Sequence, residues 1–308
     1  MKVLVVGING FVGKHLAREL YLRGHGVVGV GLDRSISEDV SSYVTEYIGD
    51  CNLLDVKSVG KIPLKNVDVV INLAGLSSVG ASFANESLYI KMNVKVHTHL
   101  ISRIKKTSPH IRIIAISSGA VYDSNQPMPL FETSKLSPMG SPYAASKIIL
   151  EKELQDYIKL GMDITIVRPF NHIGPGQKKG FIVPDLAEKI TKSNSITIGP
   201  INTSRDYTDV RDVVRAYALL AENPVSTKNR VFNICSGKAV SRDKLIEKIA
   251  NVLRKNNIKT TVDMSLTRPN DAKIIYGSSD LFFQYFGWEP RIPLDKTIDD
   301  YMQWLLAT

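Results

Sequence analysis

The sequence predicts an α/β protein with a doubly wound parallel sheet and, after it, a smaller α/β lobe. Short apolar runs alternate with helical patterns through the first half of the 308-residue chain, which favours parallel strands joined by crossover helices. The first apolar run leads directly into three closely spaced glycines and a helical pattern. After Pro169 prolines and glycines crowd the chain and the later elements are shorter, which indicates a loop-rich boundary before a second lobe.

The elements follow in order along the chain. We assign residues 1–169, with roughly 207–235 returning to them, to one domain, and 170–206 with 236–308 to the smaller lobe. The apolar runs that predict strands are 3–6, 27–31, 47–49, 67–73, 111–116 and 163–167. The predicted helices are 83–106, 142–160, 210–221 and 242–254.

Three glycines, Gly7, Gly10 and Gly13, separate the first strand from the first helix. Gly7 permits a tight turn, Gly10 lets a phosphate approach the backbone, and Gly13 lets the helix pack on the strand. Free N–H groups and the positive end of the helix dipole form an anion site there. This pattern predicts a dinucleotide-binding domain of the Rossmann type. The alternative is a plain strand-turn-helix unit with incidental glycines.

Composition excludes several classes of protein. The apolar content of 44% and charged content of 22% are typical of a globular protein, and no apolar run approaches the ~20 residues that span a bilayer. Cys51 and Cys235 are the two cysteines, too few for a disulfide framework or a metal cluster. We therefore expect a cytoplasmic protein without a signal peptide, metal or membrane partner.

The formal net charge is +9, but the lysines and arginines are scattered along the chain. Two interpretations stay open: a solvated lysine-rich surface, or a positive field that attracts a doubly anionic small ligand. A nucleic-acid partner is not expected, because no long basic run or interleaved aromatic stripe is present.

Three residues carry the predicted chemistry. Tyr143 and Lys147 are four residues apart on a predicted helix, which places them on one face. A phenol titrates near pH 10, and a neighbouring ammonium lowers that pKa toward the working range. Ser118 follows the fifth predicted strand, at the sheet edge where open α/β sheets bind ligands, and could hold a substrate carbonyl beside Tyr143.

These residues lie in GINGFVG (7–13), NLAG (72–75), SSGAVY (117–122) and SPYAASK (141–147), which resemble motifs of the extended short-chain dehydrogenase/reductase family of sugar-nucleotide enzymes. The resemblance implies that Ser118, Tyr143 and Lys147 are the catalytic triad and that dimers form through two long helices per subunit. Asp50 could instead be a turn residue, and Asn93 an interior polar one. The implied cofactor-binding residues are Gly7, Asn9, Gly10, Phe11, Val12, Asp33, Arg34, Asp50, Cys51, Leu73, Ala74, Gly75, Asn93, Ser117, Tyr143 and Lys147.

A narrower resemblance involves residues 168–190 and 205–217, which look like the GDP-4-keto-6-deoxy-D-mannose reductases that make GDP-D-rhamnose. It implies that the smaller lobe binds a nucleotide-diphosphate sugar. Arginine suits the diphosphate, because its guanidinium makes two-point contacts with phosphate. His172 is expected to be a packed loop residue. The implied substrate-binding residues are Ser77, Ser118, Asn171, Phe181, Val183, Lys189, Arg205 and Arg268.

One difference between this chain and the family's dehydratases limits the reactions that we expect. These dehydratases carry an acidic pair just after the catalytic Ser or Thr, where this chain has Gly119 and Ala120. We therefore expect a reductase that acts on the C4 ketone of a nucleotide-linked 4-keto-6-deoxyhexose, with Tyr143 as proton donor. The alternatives are an NAD-dependent nucleotide-sugar 4-epimerase and a dinucleotide sensor without enzymatic activity.

The end of the second strand bears on the choice of cofactor. NAD-preferring proteins place a carboxylate there for the adenosine ribose, and that carboxylate repels a 2′-phosphate. Gly31 falls at this position, where the missing side chain would leave room for a phosphate. Arg34 could clamp that phosphate or be an exposed loop arginine, and Asp33 could still reach the ribose. We expect NADP(H), with NAD(H) as the alternative.

Overall fold

A computed structural model describes residues 1–223, 228, 230–266 and 272–307. Among these residues, seven parallel strands form the central sheet, and the predicted doubly wound parallel sheet is confirmed. In spatial order, with numbers that follow the chain, its strands are β10 (Val231–Ile234), β6 (Ile164–Pro169), β5 (Arg112–Ile116), β4 (Val69–Asn72), β1 (Lys2–Val6), β2 (Gly26–Val30) and β3 (Glu46–Ile48).

Helices cover both faces of this sheet and build the second lobe. They begin after capping residues in several cases, such as Ser141, whose hydroxyl accepts a hydrogen bond from the Ala144 N–H at 3.0 Å. The described α-helices are α1 (Phe11–Leu22), α2 (Glu38–Ser41), α3 (Val56–Gly60), α4 (Val79–Ser82), α5 (Glu86–Ile90), α6 (Val96–Thr107), α7 (Pro142–Lys159), α8 (Ile182–Lys192), α9 (Val210–Glu222), α10 (Arg242–Val252), α11 (Asp280–Phe286) and α12 (Leu294–Ala307).

Alternate residues of the central strand β1 face opposite layers of the core. Val3 and Val5 pack in one cluster with side chains of α1 and α9. Leu4 and Val6 pack in the other cluster with side chains of α6 and α7. The apolar run therefore buries both faces of the strand, as expected for a parallel sheet covered on both sides.

The long helix predicted over 83–106 is interrupted in the structure. Helix α5 begins at Glu86, because Asn85 caps it by accepting a hydrogen bond from the Leu88 N–H at 3.2 Å. A π-helical turn over Lys91–Lys95 then joins α5 to α6. Such turns insert an extra residue into a helix and are frequent at functional sites.

The smaller lobe has its own strands and core. Strand β9 (Ser204–Asp209) pairs with β7 (Asn171–Ile173), β11 (Ala239–Ser241) and β13 (Ile274–Ile275). The strands β8 (Ser195–Ile198) and β12 (Lys259–Val262) form a separate pair. The core of this lobe is a cluster that includes residues of α8, α10 and α12. The predicted boundaries of the two domains stay a prediction.

One segment assigned to the smaller lobe packs elsewhere. Helix α11 lies against the central sheet, where the Phe282 ring contacts the Phe232 ring edge-on at 5.4 Å. Trp288 is buried beside it and donates a hydrogen bond from Nε1 to the Asp212 carbonyl at 3.1 Å. None of the helices in the described part of the chain combines the length and apolar character that crossing a bilayer requires.

Candidate active site

The glycine turn between β1 and α1 has the geometry of an anion site. Gly7 has a φ of +80°, and a Cβ on Gly13 would lie 2.4 Å from the Gly7 carbonyl oxygen, so neither position accepts a larger residue without a shift. Helix α1 begins after Gly10, which offers no side-chain cap to the first turn. The backbone N–H groups of that turn are therefore available to a phosphate.

Asn9 fixes the loop after β2 against the glycine turn. Its Nδ2 donates hydrogen bonds to Asp33 Oδ2 at 2.8 Å and to the Ser35 carbonyl at 3.1 Å. Its Oδ1 accepts one from the Ser37 N–H at 3.1 Å. Asp33 and Arg34 are both exposed in this loop, which places them next to the anion site.

The interpretation of Gly31 as room for a phosphate is wrong in this structure. A Cβ on Gly31 would lie 2.7 Å from the Tyr47 hydroxyl oxygen. That hydroxyl donates a hydrogen bond to the Asp33 carbonyl at 2.7 Å. The missing side chain at Gly31 thus makes room for Tyr47, and Asp50 follows in the left-handed region with a φ of 49°.

The loop after β4 is fixed by hydrogen bonds between the Asn93 side chain and the backbone of Leu76. Asn93 Oδ1 accepts a hydrogen bond from the Leu76 N–H at 2.7 Å, and its Nδ2 donates to the Leu76 carbonyl and to Ser146 Oγ. A Cβ on Gly75 would lie 2.7 Å from the same Oδ1. Asn93 is fully buried in the π-helical turn. The structure therefore gives it the interior position that the sequence left open, in place of a direct cofactor contact.

Two more predicted cofactor residues lie in the interior. The buried Cys51 donates a hydrogen bond to the Ser58 carbonyl at 3.6 Å, and burial raises the pKa of its thiol. Ser117 is 1% exposed and donates to Glu151 Oε1 at 2.5 Å. Both side chains make hydrogen bonds within the fold, and the cofactor contacts of these two residues stay predictions. Leu73 and Ala74 are partly buried in the loop after β4.

The structure brings Ser118, Tyr143 and Lys147 together. Ser118 lies just beyond the end of β5, and its Oγ accepts a hydrogen bond from the Ala120 N–H at 3.1 Å. Tyr143 and Lys147 lie in the first turns of α7 and are 7% and 6% exposed. Lys147 Nζ donates to the Ile116 carbonyl at 2.8 Å, which fixes the ammonium at the end of the same strand.

Burial sets the protonation states of this group. It raises the pKa of Tyr143, against the lowering effect of a hydrogen bond with Ser118, so the lowering of this pKa predicted from Lys147 is not found. Burial also lowers the pKa of Lys147 to about 8, and the Glu151 carboxylate opposes that change. At neutral pH Tyr143 therefore carries its proton and Lys147 is mostly an ammonium, so the pair can deliver a proton.

Glu151, Arg168 and Tyr122 form a buried network beside the triad that the sequence interpretation missed. Arg168 donates from Nε to Glu151 Oε1 at 2.9 Å and from Nη2 to Oε2 at 2.6 Å. Arg168 Nη1 also donates to the Tyr122 hydroxyl at 3.0 Å. The position of Glu151, one turn after Lys147, was the available signal, but that spacing is common in helices.

Phe11 connects the glycine turn to the smaller lobe. Its ring stacks on the His172 imidazole with centroids 6.1 Å apart and contacts His15 edge-on at 5.7 Å. The Phe170 carbonyl pairs with His172 Nδ1 at 3.1 Å. Burial lowers the pKa of His172. His172 is packed, although in strand β7 rather than a loop.

The predicted substrate residues are dispersed. Asn171 on β7 donates to the Asp206 carbonyl of β9 at 3.1 Å, next to Arg205, whose Nη1 donates to the Ser204 carbonyl at 2.8 Å. Lys189 of α8 donates to the Thr197 carbonyl at 2.7 Å. Val183 is fully buried in the core of the lobe, so its side chain is not presented to a ligand there. Ser77 is exposed after β4, Phe181 precedes α8, and Arg268 lies outside the described residues.

His97 on α6 is a buried residue to which the sequence interpretation gave no role. It is 1% exposed, and neither ring nitrogen has a hydrogen-bond partner among the described residues. Burial lowers its pKa to about 3, the Lys147 ammonium adds to this shift, and the nearby Ala74 backbone opposes it. The described part of the chain also contains no group of three His, Cys, Asp or Glu side chains that could hold a metal ion.

His97→Leu is expected to make the protein less sensitive to acid. The unfolded chain takes up a proton on His97 below about pH 6.5, whereas the folded chain does so only near the lowered pKa of about 3. The stability of the wild type therefore falls as the pH drops below 6.5, by about 1.4 kcal/mol per pH unit from this residue. The measurement is urea unfolding of both proteins at several pH values from 6.5 to 4.5.

His110→Leu is the matched control, because His110 is exposed. Its stability curve should run parallel to that of the wild type, whereas the His97→Leu curve should be flatter. Parallel curves for wild type and His97→Leu would show that the imidazole is accessible to protons in the folded state.

The chain is similar to known proteins over most of its length. The family model described as "NAD dependent epimerase/dehydratase family" matches residues 3–235. The chain is 30% identical over 306 residues to a GDP-6-deoxy-D-mannose reductase of Pseudomonas aeruginosa, covering 96% of this chain and 94% of that protein.

Two solved structures are similar over their full length. The structure of RMD from Pseudomonas aeruginosa complexed with NADPH has a TM-score of 0.82 at 28% identity, covering 100% of this chain and 99% of that chain. A Thermus thermophilus UDP-glucose 4-epimerase in complex with NAD has a TM-score of 0.86 at 25% identity, covering 100% of both chains.

Proposed function

Because the chain belongs to the NAD dependent epimerase/dehydratase family, we propose that it reduces the C4 ketone of a nucleotide-linked 4-keto-6-deoxyhexose. The chain is an enzyme that acts on nucleotide sugars with a nicotinamide cofactor. The proposed reaction converts GDP-4-keto-6-deoxy-D-mannose to GDP-D-rhamnose, and the similarity to a GDP-6-deoxy-D-mannose reductase supports that substrate. The observation that carries the proposal is Tyr143, whose buried hydroxyl keeps its proton at neutral pH beside Ser118.

The residues around the glycine turn fit a dinucleotide. The uncapped first turn of α1 would hold the pyrophosphate, and the loop at Asp33 and Arg34 would face the adenosine ribose. The Lys147 ammonium has three hydrogens, of which one is donated to Ile116, so it can also bind ribose hydroxyls. When bound in its reduced form, the nicotinamide supplies a hydride.

The chain's own residues do the remaining chemistry. Ser118 donates a hydrogen bond to the C4 carbonyl oxygen, because its Oγ accepts from the Ala120 N–H and its own O–H can be given to the substrate. Tyr143 transfers its phenolic proton to that oxygen as the carbon becomes an alcohol carbon. The Lys147 ammonium stabilises the phenolate that Tyr143 leaves behind. The phenolate is then reprotonated from solvent, which restores the starting state.

Two alternatives differ in what they require of the site. Dehydration needs a carboxylate near C5 for general acid–base work, and Gly119 and Ala120 provide none. A 4-epimerase uses the same three residues, and the similarity to a UDP-glucose 4-epimerase supports it as the second candidate. An epimerase must begin by taking a proton from a hydroxyl, whereas the raised pKa of Tyr143 keeps its hydroxyl protonated at neutral pH, which is the starting form that reduction requires.

The deciding experiment compares the two reactions on one preparation. Purified protein is mixed with freshly prepared GDP-4-keto-6-deoxy-D-mannose and NADPH, with absorbance at 340 nm and NMR of the product as readouts. One NADPH consumed for each GDP-D-rhamnose formed supports the proposal. Interconversion of UDP-glucose and UDP-galactose without added cofactor, and no reaction with the ketone, would identify an epimerase. The homodimer and the cytoplasmic location expected from the sequence remain predictions.

We further propose NADP(H) as the preferred cofactor, although the space at Gly31 is filled by Tyr47 and does not hold a phosphate. The exposed Arg34 lies in the loop that Asn9 fixes beside the anion site, and a similar structure contains NADPH. Arg34→Ala should lower the preference for NADPH over NADH roughly ten- to a hundred-fold, the value of a hydrogen bond to a charged group. The measurement is kcat/KM with each cofactor.

Asp33→Asn provides the opposing variant, because it removes a negative charge close to the expected phosphate. It should raise kcat/KM with NADPH and leave the folded structure intact, since the introduced amide still offers an oxygen to Asn9 Nδ2. Higher kcat/KM of the wild type with NADH would make Asp33 the ribose ligand and refute the cofactor assignment.

A further inference from the structure

Lys147 and Glu151 are one helical turn apart on the buried face of α7, yet they do not pair with each other. Opposite charges at this spacing ordinarily attract on a helix. Lys147 Nζ instead donates to the Ile116 carbonyl at 2.8 Å. Both oxygens of Glu151 are taken by Arg168, at 2.9 and 2.6 Å. Both side chains are 6% exposed, so water does not explain why they remain apart.

Arg168 reaches Glu151 from the neighbouring strand β6 and is fixed at its other end. Its Nη1 donates to the Tyr122 hydroxyl and to the Glu132 carbonyl, both at 3.0 Å. Its guanidinium lies over the Tyr122 ring, 4.9 Å from the centroid. A two-point Arg–carboxylate pair has a fixed direction as well as strength, so Arg168 determines where the Glu151 carboxylate points.

The same carboxylate also reaches the other side of the triad. Ser117 Oγ donates to Glu151 Oε1 at 2.5 Å, and Ser117 directly precedes Ser118. Glu151 therefore connects the end of β5, the helix that carries Tyr143 and Lys147, and strand β6.

Without Arg168, the buried Glu151 charge would need another partner. Attraction between opposite charges is much stronger in a buried site than in water, and leaving a buried charge unpaired is costly. Lys147 is a cation one helical turn away on the same helix and has a long, flexible side chain. Its ammonium would turn toward Glu151 and away from the Ile116 carbonyl.

We propose that Arg168 is a positioning residue that occupies Glu151 and thereby keeps the Lys147 ammonium on the Ile116 carbonyl, at the strand end that Ser118 follows. The proposal rests on the proposed role of Lys147 in nucleotide-sugar chemistry. The titratable and charged groups that face this cluster are Tyr143 and Glu151 on α7, His97 on α6, Tyr89 on α5, Tyr217 on α9, and Tyr122, Glu132 and Arg168.

The test uses three variants of the full-length protein: Arg168→Met, Glu151→Gln and the double variant. The readout is the pH at which kcat/KM falls on the alkaline side, which reports groups of the free enzyme and in the wild type is expected to follow the Lys147 pKa of about 8. Arg168→Met should raise this pH by about one unit or more, because an unpaired carboxylate favours the ammonium. It should also lower kcat about tenfold or more with a smaller change in KM. Glu151→Gln should lower the same pH, because the unpaired Arg168 repels the ammonium.

The double variant distinguishes positioning from simple loss of packing. Removing both charges leaves no carboxylate to attract Lys147, and neutralising a buried ion pair is often tolerated. Its kcat and its alkaline limit should return close to those of the wild type. Arg168→Lys keeps the charge and should retain the wild-type limit with a moderate loss of kcat. If Arg168→Met does not fold, the alkaline limits of Arg168→Lys and Glu151→Gln are compared. An unchanged limit in Arg168→Lys together with a lowered limit in Glu151→Gln supports the proposal, and equal shifts in both contradict it.

Several results would overturn the inference. Shifts of the alkaline limit in the same direction for Arg168→Met and Glu151→Gln, or no shift in either, would show a structural role alone. The pH dependence of NADPH affinity, followed by fluorescence, provides a second readout that does not require turnover. If the wild type does not reduce the ketone, the proposed function fails, while the affinity readout still tests the effect of Arg168 on Lys147.

Discussion

Tyr143→Phe is expected to reduce ketone turnover by about 10²–10⁴-fold, the usual contribution of general acid catalysis. The substitution removes only the hydroxyl, so the ring keeps its edge-on contact with Tyr89 at 6.4 Å. Cofactor affinity should change little, because Lys147 and the glycine turn are untouched. The measurements are kcat from NADPH oxidation and the dissociation constant for NADPH.

Tyr89→Phe is the matched control for this prediction. It also removes one buried hydroxyl, which donates to the Ser78 carbonyl at 2.7 Å, but that hydroxyl is not placed to protonate a substrate. Its kcat should stay within about tenfold of the wild type, as expected for the loss of a single neutral hydrogen bond. Turnover of Tyr143→Phe equal to that of Tyr89→Phe would remove Tyr143 from the mechanism.

The local parts of the site could be predicted from the sequence. The Gly7–Gly13 turn, the serine at the end of β5 and the Tyr143–Lys147 pair each depend on neighbours a few residues away. Strand ends and helix faces follow from apolar periodicity, so residues at those points can be placed without the tertiary structure. The resemblance to sugar-nucleotide enzymes and to GDP-4-keto-6-deoxy-D-mannose reductases is confirmed.

The remaining features depend on contacts between distant segments. Gly31 was interpreted as an open position because the sequence does not show that Tyr47, on the next strand, fills the space. Asn93 lies in a π-helical turn that hydrophobic periodicity does not reveal. The pairing of Glu151 with Arg168 requires the register of α7 on β6. Asn93 and Glu151 show that a polar side chain near the site can support its loops and helices through buried hydrogen bonds.

Lys147→Met is expected to lower both cofactor affinity and turnover, unlike Tyr143→Phe. Met keeps an unbranched apolar stem in the buried pocket but removes the charge and the bond to the Ile116 carbonyl. Losing a charged hydrogen bond to the ribose should weaken NADPH binding roughly ten- to a hundred-fold. The phenolate formed at Tyr143 also loses its counter-charge, which should slow turnover by a further ~10²-fold or more.

The dependence of the reduction rate on pH also tests the role of Lys147. Reduction requires the ammonium form, and burial lowers the Lys147 pKa to about 8, so the rate of the wild type should fall as the pH rises above 8. Lys147→Met has no ammonium to lose, so its low rate should not show that decline. Lys152→Met, an exposed position on the same helix, is the control and should keep the wild-type rate and profile. An unchanged NADPH affinity in Lys147→Met would exclude the ribose contact, and a retained decline above pH 8 would assign it to another group.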